Sequence, residues 1–331
     1  MNLRVGDLVE VRGEEEILAT LDERGELESL PFMPEMLRFC GRRMTVHKVA
    51  HKLCDTISRS GMRRMERAVH LTGARCGGEA HGGCQTACSL YWKEAWLKRV
   101  DPDTPEPTAE RTAEPTAEPI SQPAPEPERR LLPLLEVNTR SGVDTYSCQA
   151  TELLRAAPAC LPFRDVRQYV TDVRTGNAGT LQVARTFLVG LFNRFQDLSK
   201  KVLPRRLWIR KGLRWGFVEG RAGRMTPTAE LGLKPGELVR IKSKDEILAT
   251  LNDDLLNRGL GFEEEMARYC GRTARVRARV ERCLDEKTGL LLSMKSPCIV
   301  LDDLVCEGVY NANCPREFVP FWREIWLERV E

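Results

Sequence analysis

Twelve cysteines dominate the chemistry that this sequence can support. Five lie between residues 40 and 88, five lie between residues 270 and 314, and only Cys148 and Cys160 fall between the two groups. All four histidines belong to the first group: His47, His51, His70 and His81. Thiolates and imidazoles are the usual ligands of zinc. In a reducing compartment, this density favours metal binding or catalysis over disulfides.

The first cysteine group contains a loop with the spacing of a metal site. Cys76, Cys84 and Cys88 form the pattern C-x7-C-x3-C, and interspersed glycines let the loop fold tightly around an ion. A tetrahedral zinc site needs about four ligands. The remaining ligand has its candidates elsewhere in the same group: Cys54 first, then Cys40, His51 and His81.

Both cysteine groups belong to a tandem repeat with one constant offset. Residues separated by 230 positions match over roughly 95 residues without a gap. The segment EILATL at 16–21 returns unchanged at 246–251, and the ending YWKEAWLKRV returns as FWREIWLERV. Chance does not produce such agreement. The sequence therefore predicts one module in residues 1–100 and a second copy in residues 231–331.

The second copy keeps only part of the ligand pattern. Leu284 stands at the position of Cys54, and Cys298 stands at the position of Ala68. If positions 54 and 68 face each other across a hairpin, Cys298 supplies the sulfur that Leu284 lacks. The ligand candidates of the second copy are Cys270, Cys283, Cys298, Cys306 and Cys314. We expect one zinc per module, with an iron–sulfur cluster as the second choice.

The elements that must position these side chains are mainly strands. Residues 6–11 and 236–241 alternate polar and apolar side chains, which predicts a first strand in each copy. Segments 44–55 and 68–74 predict a β-hairpin around Ser60-Gly61, with a counterpart in the second copy. A cysteine-bearing loop follows each hairpin. The expected class is α+β, with two small metal-closed β modules.

The part between the copies divides into a linker and a helical region. Residues 101–130 are rich in Pro, Glu, Thr and Ala and contain no aromatic side chain, so we expect a disordered linker. Residues 131–230 have no repeat partner. Helices are predicted near 151–157 and 165–172, and the strongest helical periodicity covers 180–202.

A basic tract with interleaved aromatic residues follows that helix, over 205–224. Such tracts bind phosphate backbones or stack on bases. A solvated face beside a packed helix has the same composition. The side chains that would contact nucleic acid are Arg205, Arg206, Arg210, Lys211 and Arg214.

Composition restricts the class of protein. Hydrophobic residues make up 42% and charged residues 30% of the 331 residues, which is typical of a folded, soluble chain. The net charge of +3 is too small to indicate nucleic-acid binding by itself. No apolar run is long enough to span a membrane, and the first residues lack the apolar stretch of a secretory signal. We therefore expect a cytoplasmic protein.

Two resemblances add to this interpretation. The start of each module resembles the first strand of KOW and other SH3-like barrels, which implies an SH3-like fold for both modules. The joined pattern of Arg75-Cys76, AHGGC at 80–84 and WKEAWL at 92–97 resembles a family of bacterial proteins with paired cysteine-rich modules. So does WREIWL at 322–327. The second resemblance implies a bacterial origin and no particular activity.

Three functions remain open from the sequence. The first is a cytosolic binding or scaffold protein with two structural thiolate–zinc sites and a protein partner. The second is a metalloenzyme, or an accessory subunit of a bacterial biosynthetic pathway, with its active metal in the first copy. The third is a nucleic-acid-binding protein that uses the basic tract.

Overall fold

The computed structural model describes residues 1–101 and 131–330. Residues 102–130, which make up nearly all of the expected linker, lie outside the described residues. The described chain is a mixed α/β structure with several antiparallel sheets.

The first module begins with a strand and a short helix. In the strand, Val9 and Val11 are fully buried while their neighbours are partly exposed, as the alternation predicts. The elements of this module are β1 (Leu8–Val11), α1 (Glu14–Leu18), β2 (Glu26–Leu27), β3 (Leu30–Pro31), β4 (Arg43–Val49), β5 (Lys52–Cys54), β6 (Met62–Arg64), β7 (Ala68–Arg75), β8 (Ser89–Lys93) and β9 (Leu97–Arg99). Short 3-10 helices cover Pro34–Phe39 and Glu94–Trp96.

The region between the modules contains helices and small strands. Its elements are α2 (Leu131–Thr139), β10 (Arg140–Gly142), β11 (Thr145–Tyr146), α3 (Leu153–Ala156), β12 (Cys160–Leu161), α4 (Arg167–Thr175) and α5 (Thr180–Val202). The predicted bounds of the long helix are confirmed. Short 3-10 helices follow at Arg205–Leu207 and Ile209–Gly212.

The second module repeats the first in outline. Its elements are β13 (Leu238–Ile241), α6 (Lys244–Leu248), β14 (Leu256–Asn257), β15 (Leu260–Gly261), α7 (Glu264–Ala267), β16 (Thr273–Leu284), β17 (Leu291–Leu301) and β18 (Leu327–Arg329), with a 3-10 helix at Glu324–Trp326. Helix α6 begins with a capping box between Ser243 and Glu246, and Glu16 makes the corresponding bond to Gly13 in the first module.

Each module has one main sheet, and the two sheets share their central pairing. The orders are β8-β7-β4-β1-β9 and β17-β16-β13-β18. Val9 pairs with Met44 and with Arg99. In the second module, Val239 pairs with Ala274 and Arg329, the residues 230 positions later.

The hairpin register differs from the sequence prediction. Cys54 pairs with Met62 across the short β5–β6 hairpin, and Ala68 lies on β7 opposite Lys93. The predicted facing of positions 54 and 68 is therefore wrong. The cause is a break after β4: its pairing with β7 contains a bulge, and the chain then starts a separate pair of strands.

The central region is not a separate helical layer. Strand β12 extends the β5–β6 hairpin, with Cys160 opposite Arg63. Leu135, Cys148 and Leu153 belong to the buried core of the first module. Helix α4 is attached to that module through the fully buried ion pair of Lys52 and Asp172. None of the helices in the described ranges is long and apolar enough to cross a bilayer.

Candidate functional site

Three unlike donors converge at one end of the first module. The Cys76 Sγ lies 3.1 Å from the Glu35 Oε1 and 3.3 Å from the His81 Nε2. The His81 Nδ1 lies 3.8 Å from the same Glu35 oxygen. One thiol, one imidazole and one carboxylate within these distances can share a single metal ion.

Each donor comes from a different element. Glu35 lies in the first turn of the 3-10 helix that begins at Pro34, where proline is favoured. Cys76 immediately follows β7, and its amide donates to the Cys88 carbonyl, which closes the base of the cysteine loop. The His81 amide donates to the Gly78 carbonyl within that loop. The loop therefore carries His81 back toward Cys76.

Gly78 is required for this loop. Its φ is +76°, and a Cβ there would lie 1.8 Å from the Cys84 carbonyl oxygen. A G78A substitution is therefore expected to open the loop and abolish metal binding, as measured by elemental analysis of the purified variant. The matched control is G83A, because Gly83 has a similar φ of +73° but no atom within 4 Å of the added Cβ. Equal metal retention in both variants would contradict this account of the loop.

Two polar atoms of the cluster have no hydrogen-bond partner. They are the Glu35 Oε2 and the His81 Nδ1. Both side chains are buried, with residue exposures of 7% for Glu35 and 1% for His81. Buried polar atoms without partners are costly and need an explanation, such as a bound ion. A cation bound among these donors would explain the unpartnered oxygen of the Glu35 carboxylate.

A small, partly open cavity of about 60 Å³ adjoins the cluster. That volume holds an ion and one or two waters. Besides the three donors, it is lined by three further thiols: Cys84, Cys88 and Cys148. Burial raises the pKa of Cys88 and of Cys148 to about 12. Burial also raises the pKa of Cys76 well above its usual value, so its binding to a metal would release a proton.

Cys84 differs from the other thiols of the cavity. Burial opposes its ionisation, but the nearby polar groups of His81 and Thr86 and the Leu284 amide lower its pKa to about 7. The Leu284 amide lies 3.4 Å from the Cys84 Sγ and belongs to the second module. An amide of the second module therefore contacts a thiol of the cavity beside the candidate metal centre.

The equivalent contact also occurs in the other direction. The Cys54 amide donates to the Cys314 Sγ over 3.2 Å. Leu284 is the repeat counterpart of Cys54, and Cys84 is the repeat counterpart of Cys314, so the two contacts correspond. A strand residue of each copy thus contacts the cysteine loop of the other copy. Cys54, the predicted fourth ligand of the first copy, contacts Cys314 instead.

The second copy lacks a matching three-donor group. Glu265 corresponds to Glu35 and lies near enough to Cys306 to raise the pKa of that thiol further, after burial, to about 12. Asn311 stands where His81 stands in the first copy, and it is exposed. In the described ranges, the Glu35 group is the one set of three donors that meets metal-binding distances.

The other predicted ligands lie apart from this centre. Cys40 and Cys270 pack at the edges of the two module cores. Cys298 is buried opposite Val280 and accepts from Arg323, so it does not replace the sulfur missing at Leu284. Cys283 lies on β16, next to Leu284 and opposite Leu292.

His51 also lies apart from the centre. Its Nε2 contacts the Gln168 carbonyl and the Asp172 carboxylate, at 3.3 and 3.4 Å. Burial, with a contribution from the Lys52 charge, lowers its pKa to about 4. Its surroundings are an ion pair rather than thiols.

Sequence reasoning missed two residues of the centre. Glu35 returns as Glu265 at the constant offset, so the repeat itself carried a signal for it. Cys148 has no repeat counterpart, and only the folding of the central region into the first core brings it to the cavity. Cys160 is exposed on β12.

The basic tract packs back onto α5 and is partly neutralised. Arg214 makes two bonds to the Asp197 carboxylate, and Lys211 contacts Glu219 at 2.6 Å. Arg210 lies over the Trp215 ring at 5.1 Å. Arg205 lies 5.9 Å from the Trp208 ring, and Arg206 is exposed. Several of the basic side chains that were predicted to bind phosphates thus contact acidic or aromatic residues of the same chain.

The chain was compared with models of protein families, with curated proteins and with solved structures, and none of the three comparisons found a match.

Proposed function

We propose that this protein binds one structural zinc ion in its first module, through Glu35, Cys76 and His81. The observation that carries the proposal is that these three donors lie close together and that two of their buried polar atoms, the Glu35 Oε2 and the His81 Nδ1, have no hydrogen-bond partner. Cys84 is the fourth ligand, because it lines the same cavity and its pKa of about 7 makes the thiolate available near neutral pH.

The donor set favours zinc over an iron–sulfur cluster. Such clusters are held mainly by cysteine thiolates, usually four of them. Here the three closest donors are oxygen, sulfur and nitrogen, a mixture that zinc accepts. Because Asn311 replaces His81, we propose one metal per chain rather than one per module.

A structural role suits the surroundings of the metal better than a catalytic one. The ligands come from a 3-10 helix, a strand end and a loop, and the second module covers the cavity with Leu284, Arg316 and Phe318. A metal there would tie three segments of the first module together beneath the second module. The metalloenzyme alternative requires an open ligand position and room for a substrate beside the metal, which a cavity of about 60 Å³ does not favour.

Elemental analysis of the purified chain tests the proposal. We expect one zinc per chain in the wild type, loss of that zinc in C84S, and retention in C314S. Cys314 is the repeat counterpart of Cys84 and has the same exposure, 5%, so it is a matched control. Two zinc ions per chain, or an equal loss in both variants, would contradict a single centre in the first module.

We also propose a scaffold function, because α5 exposes an apolar seam. Leu188 and Leu198 are each 62% exposed, whereas Thr186 and Gln196 on the opposite side are buried. The seam follows the spacing of three and four residues that two packed helices use. Its members are Leu181, Leu188, Leu191, Phe195, Leu198 and Val202.

The charges beside the seam select the kind of partner. Arg185, Arg194 and Lys201 are exposed along it, whereas Asp197 is paired with Arg214. A second copy of the helix would bring like charges together, which disfavours pairing. The occupant that we propose is therefore a helix of a partner protein with an apolar seam and acidic flanks.

A synthetic helix with Leu at seam positions and Glu at flanking positions is the probe. It is expected to bind the full chain, and L191S is expected to weaken binding at least about tenfold, because a buried anchor is worth roughly 2 kcal/mol. The control variant is V137S, which changes a side chain that is 75% exposed on α2. Binding to anionic vesicles, dimerisation through the seam, or equal binding of a Lys-flanked peptide would each contradict this partner.

The fold behind both functions is inferred as two SH3-like modules in a cytoplasmic protein. The shared order of the central strands and the matching register support the first part. The reduced thiols of the candidate centre suit the second.

A further inference from the structure

A pair of thiols lies between the two modules, apart from the proposed zinc ligands. The Cys54 Sγ and the Cys314 Sγ lie 3.2 Å apart. Cys54 ends β5 of the first module, and Cys314 lies on the cysteine loop of the second. The two residues are 260 positions apart in the chain.

The reciprocal contact between the copies, within the described ranges, has no second thiol. At the equivalent place, Cys84 meets the Leu284 amide, and a leucine side chain replaces the second sulfur. The backbone contact is therefore common to both sides, whereas the second thiol is specific to this one. The contact between amide and sulfur occurs on both sides, and Cys54 adds the second thiol on one side.

This pair lacks the donors of a metal site. Among the described residues, neither Cys54 nor Cys314 belongs to a group of three donors at metal-binding distances. Two thiols in contact, with no third donor at that distance, have a different reaction available, which is oxidation to a disulfide.

The surroundings favour the thiolate form of Cys314. Its sulfur accepts from the Cys54 amide. Burial opposes the ionisation of Cys314, but the adjacent Cys54 side chain and nearby amides lower its pKa to about 7. The buried guanidinium of Arg316 adds a positive charge nearby and also donates to the Cys54 carbonyl. Cys54 is partly exposed, so a small oxidant has access to the pair.

We propose that Cys54 and Cys314 form an oxidation site at which hydrogen peroxide links the two modules by a disulfide. The Cys314 thiolate attacks one peroxide oxygen, forming a sulfenic acid and releasing hydroxide. The Cys54 sulfur then attacks the Cys314 sulfur. The sulfur–sulfur bond forms, and the hydroxyl group leaves with the Cys54 proton as water. Peroxide is reduced by two electrons and the thiol pair is oxidised by two.

Peptide mapping of the full chain under non-reducing conditions tests this proposal. After brief treatment with hydrogen peroxide, we expect a linked peptide pair containing Cys54 and Cys314, lighter by two hydrogen atoms than the separate peptides and released by dithiothreitol. In C314S, that pair must disappear while the exposed Cys160 reacts as before.

Two results would overturn the proposal. One is full alkylation of Cys54 and Cys314 after peroxide treatment and denaturation. The other is linkage of either residue to a different cysteine. Zinc content, measured on the same samples, separates this proposal from the proposed function: the disulfide is expected to form while the zinc stays bound, because the two thiols are not among its ligands.

Discussion

The H81A variant is expected to bind zinc at least about 100-fold more weakly than the wild type, since even residues that only support a ligand cost 10–100-fold when removed. His81 contributes the one nitrogen of the proposed centre, 3.3 Å from the Cys76 sulfur. Competition with a chromophoric chelator measures the affinity. Circular dichroism of the same sample reports the loss of folded structure that follows metal removal from a structural site.

The control for this variant is N311A. Asn311 occupies the equivalent place in the second copy, and its amide makes the same turn to Gly308 that the His81 amide makes to Gly78. Because Asn311 is exposed, its replacement is expected to leave zinc affinity unchanged. Equal losses in H81A and N311A, or none in either, would mean that His81 is not a ligand.

The D172A variant is expected to lose about 3–5 kcal/mol of folding free energy, which is typical when one partner of a buried ion pair is removed. The Asp172 Oδ2 lies 2.6 Å from the Lys52 Nζ, and both side chains are fully buried. Without the carboxylate, the Lys52 ammonium stays in a site that water cannot reach. Urea-induced unfolding of wild type and variant measures the difference.

Two further variants make this prediction specific. R64A removes an exposed ion pair with Asp165 between the same parts of the chain, and it is expected to cost no more than about 1 kcal/mol. The double variant K52M/D172L replaces both charges and is expected to recover most of the loss, because apolar pairs of similar volume can replace buried ion pairs. A small loss in D172A would contradict the role of this pair in attaching α4.

Local patterns predicted the elements of the fold well. The alternation around Val9 and Val239 gave the central strands, and both of these side chains are fully buried. Gly41 and Gly271 follow the helical turns of the two copies and adopt the left-handed conformation that favours glycine, with φ values of +73° and +79°. These features depend on a few neighbouring residues, so a single sequence is enough to show them.

The candidate centre was predicted less completely, because its geometry depends on contacts between distant segments. Cys76, Cys84, Cys88 and His81 share one loop, and the structure places all four at one cavity. Cys54 was assigned to the same copy on the assumption that each module is self-contained. A contact between the two copies brings it to Cys314 instead, and nothing in the local sequence records that contact.

Helix α5 shows the opposite limit of pattern reasoning. Its periodicity gave the right bounds, yet much of its apolar surface stays exposed. Phe187 and Phe192 pack on Phe163 and Trp215, whereas the residues of the seam are exposed. The polar side is held instead by specific bonds, such as those from Gln196 to the carbonyls of Ile209 and Leu213. A hydrophobic stripe predicts the bounds of a helix, but it does not predict whether the fold buries that stripe or leaves it exposed.

X-ray absorption at the zinc edge of the purified chain tests the proposed centre most directly. With Glu35, Cys76, His81 and Cys84 as ligands, the first shell must contain both sulfur and lighter scatterers, with the outer-shell signal of one imidazole. A shell of sulfur alone, or a purified chain that holds no zinc, would contradict the proposal.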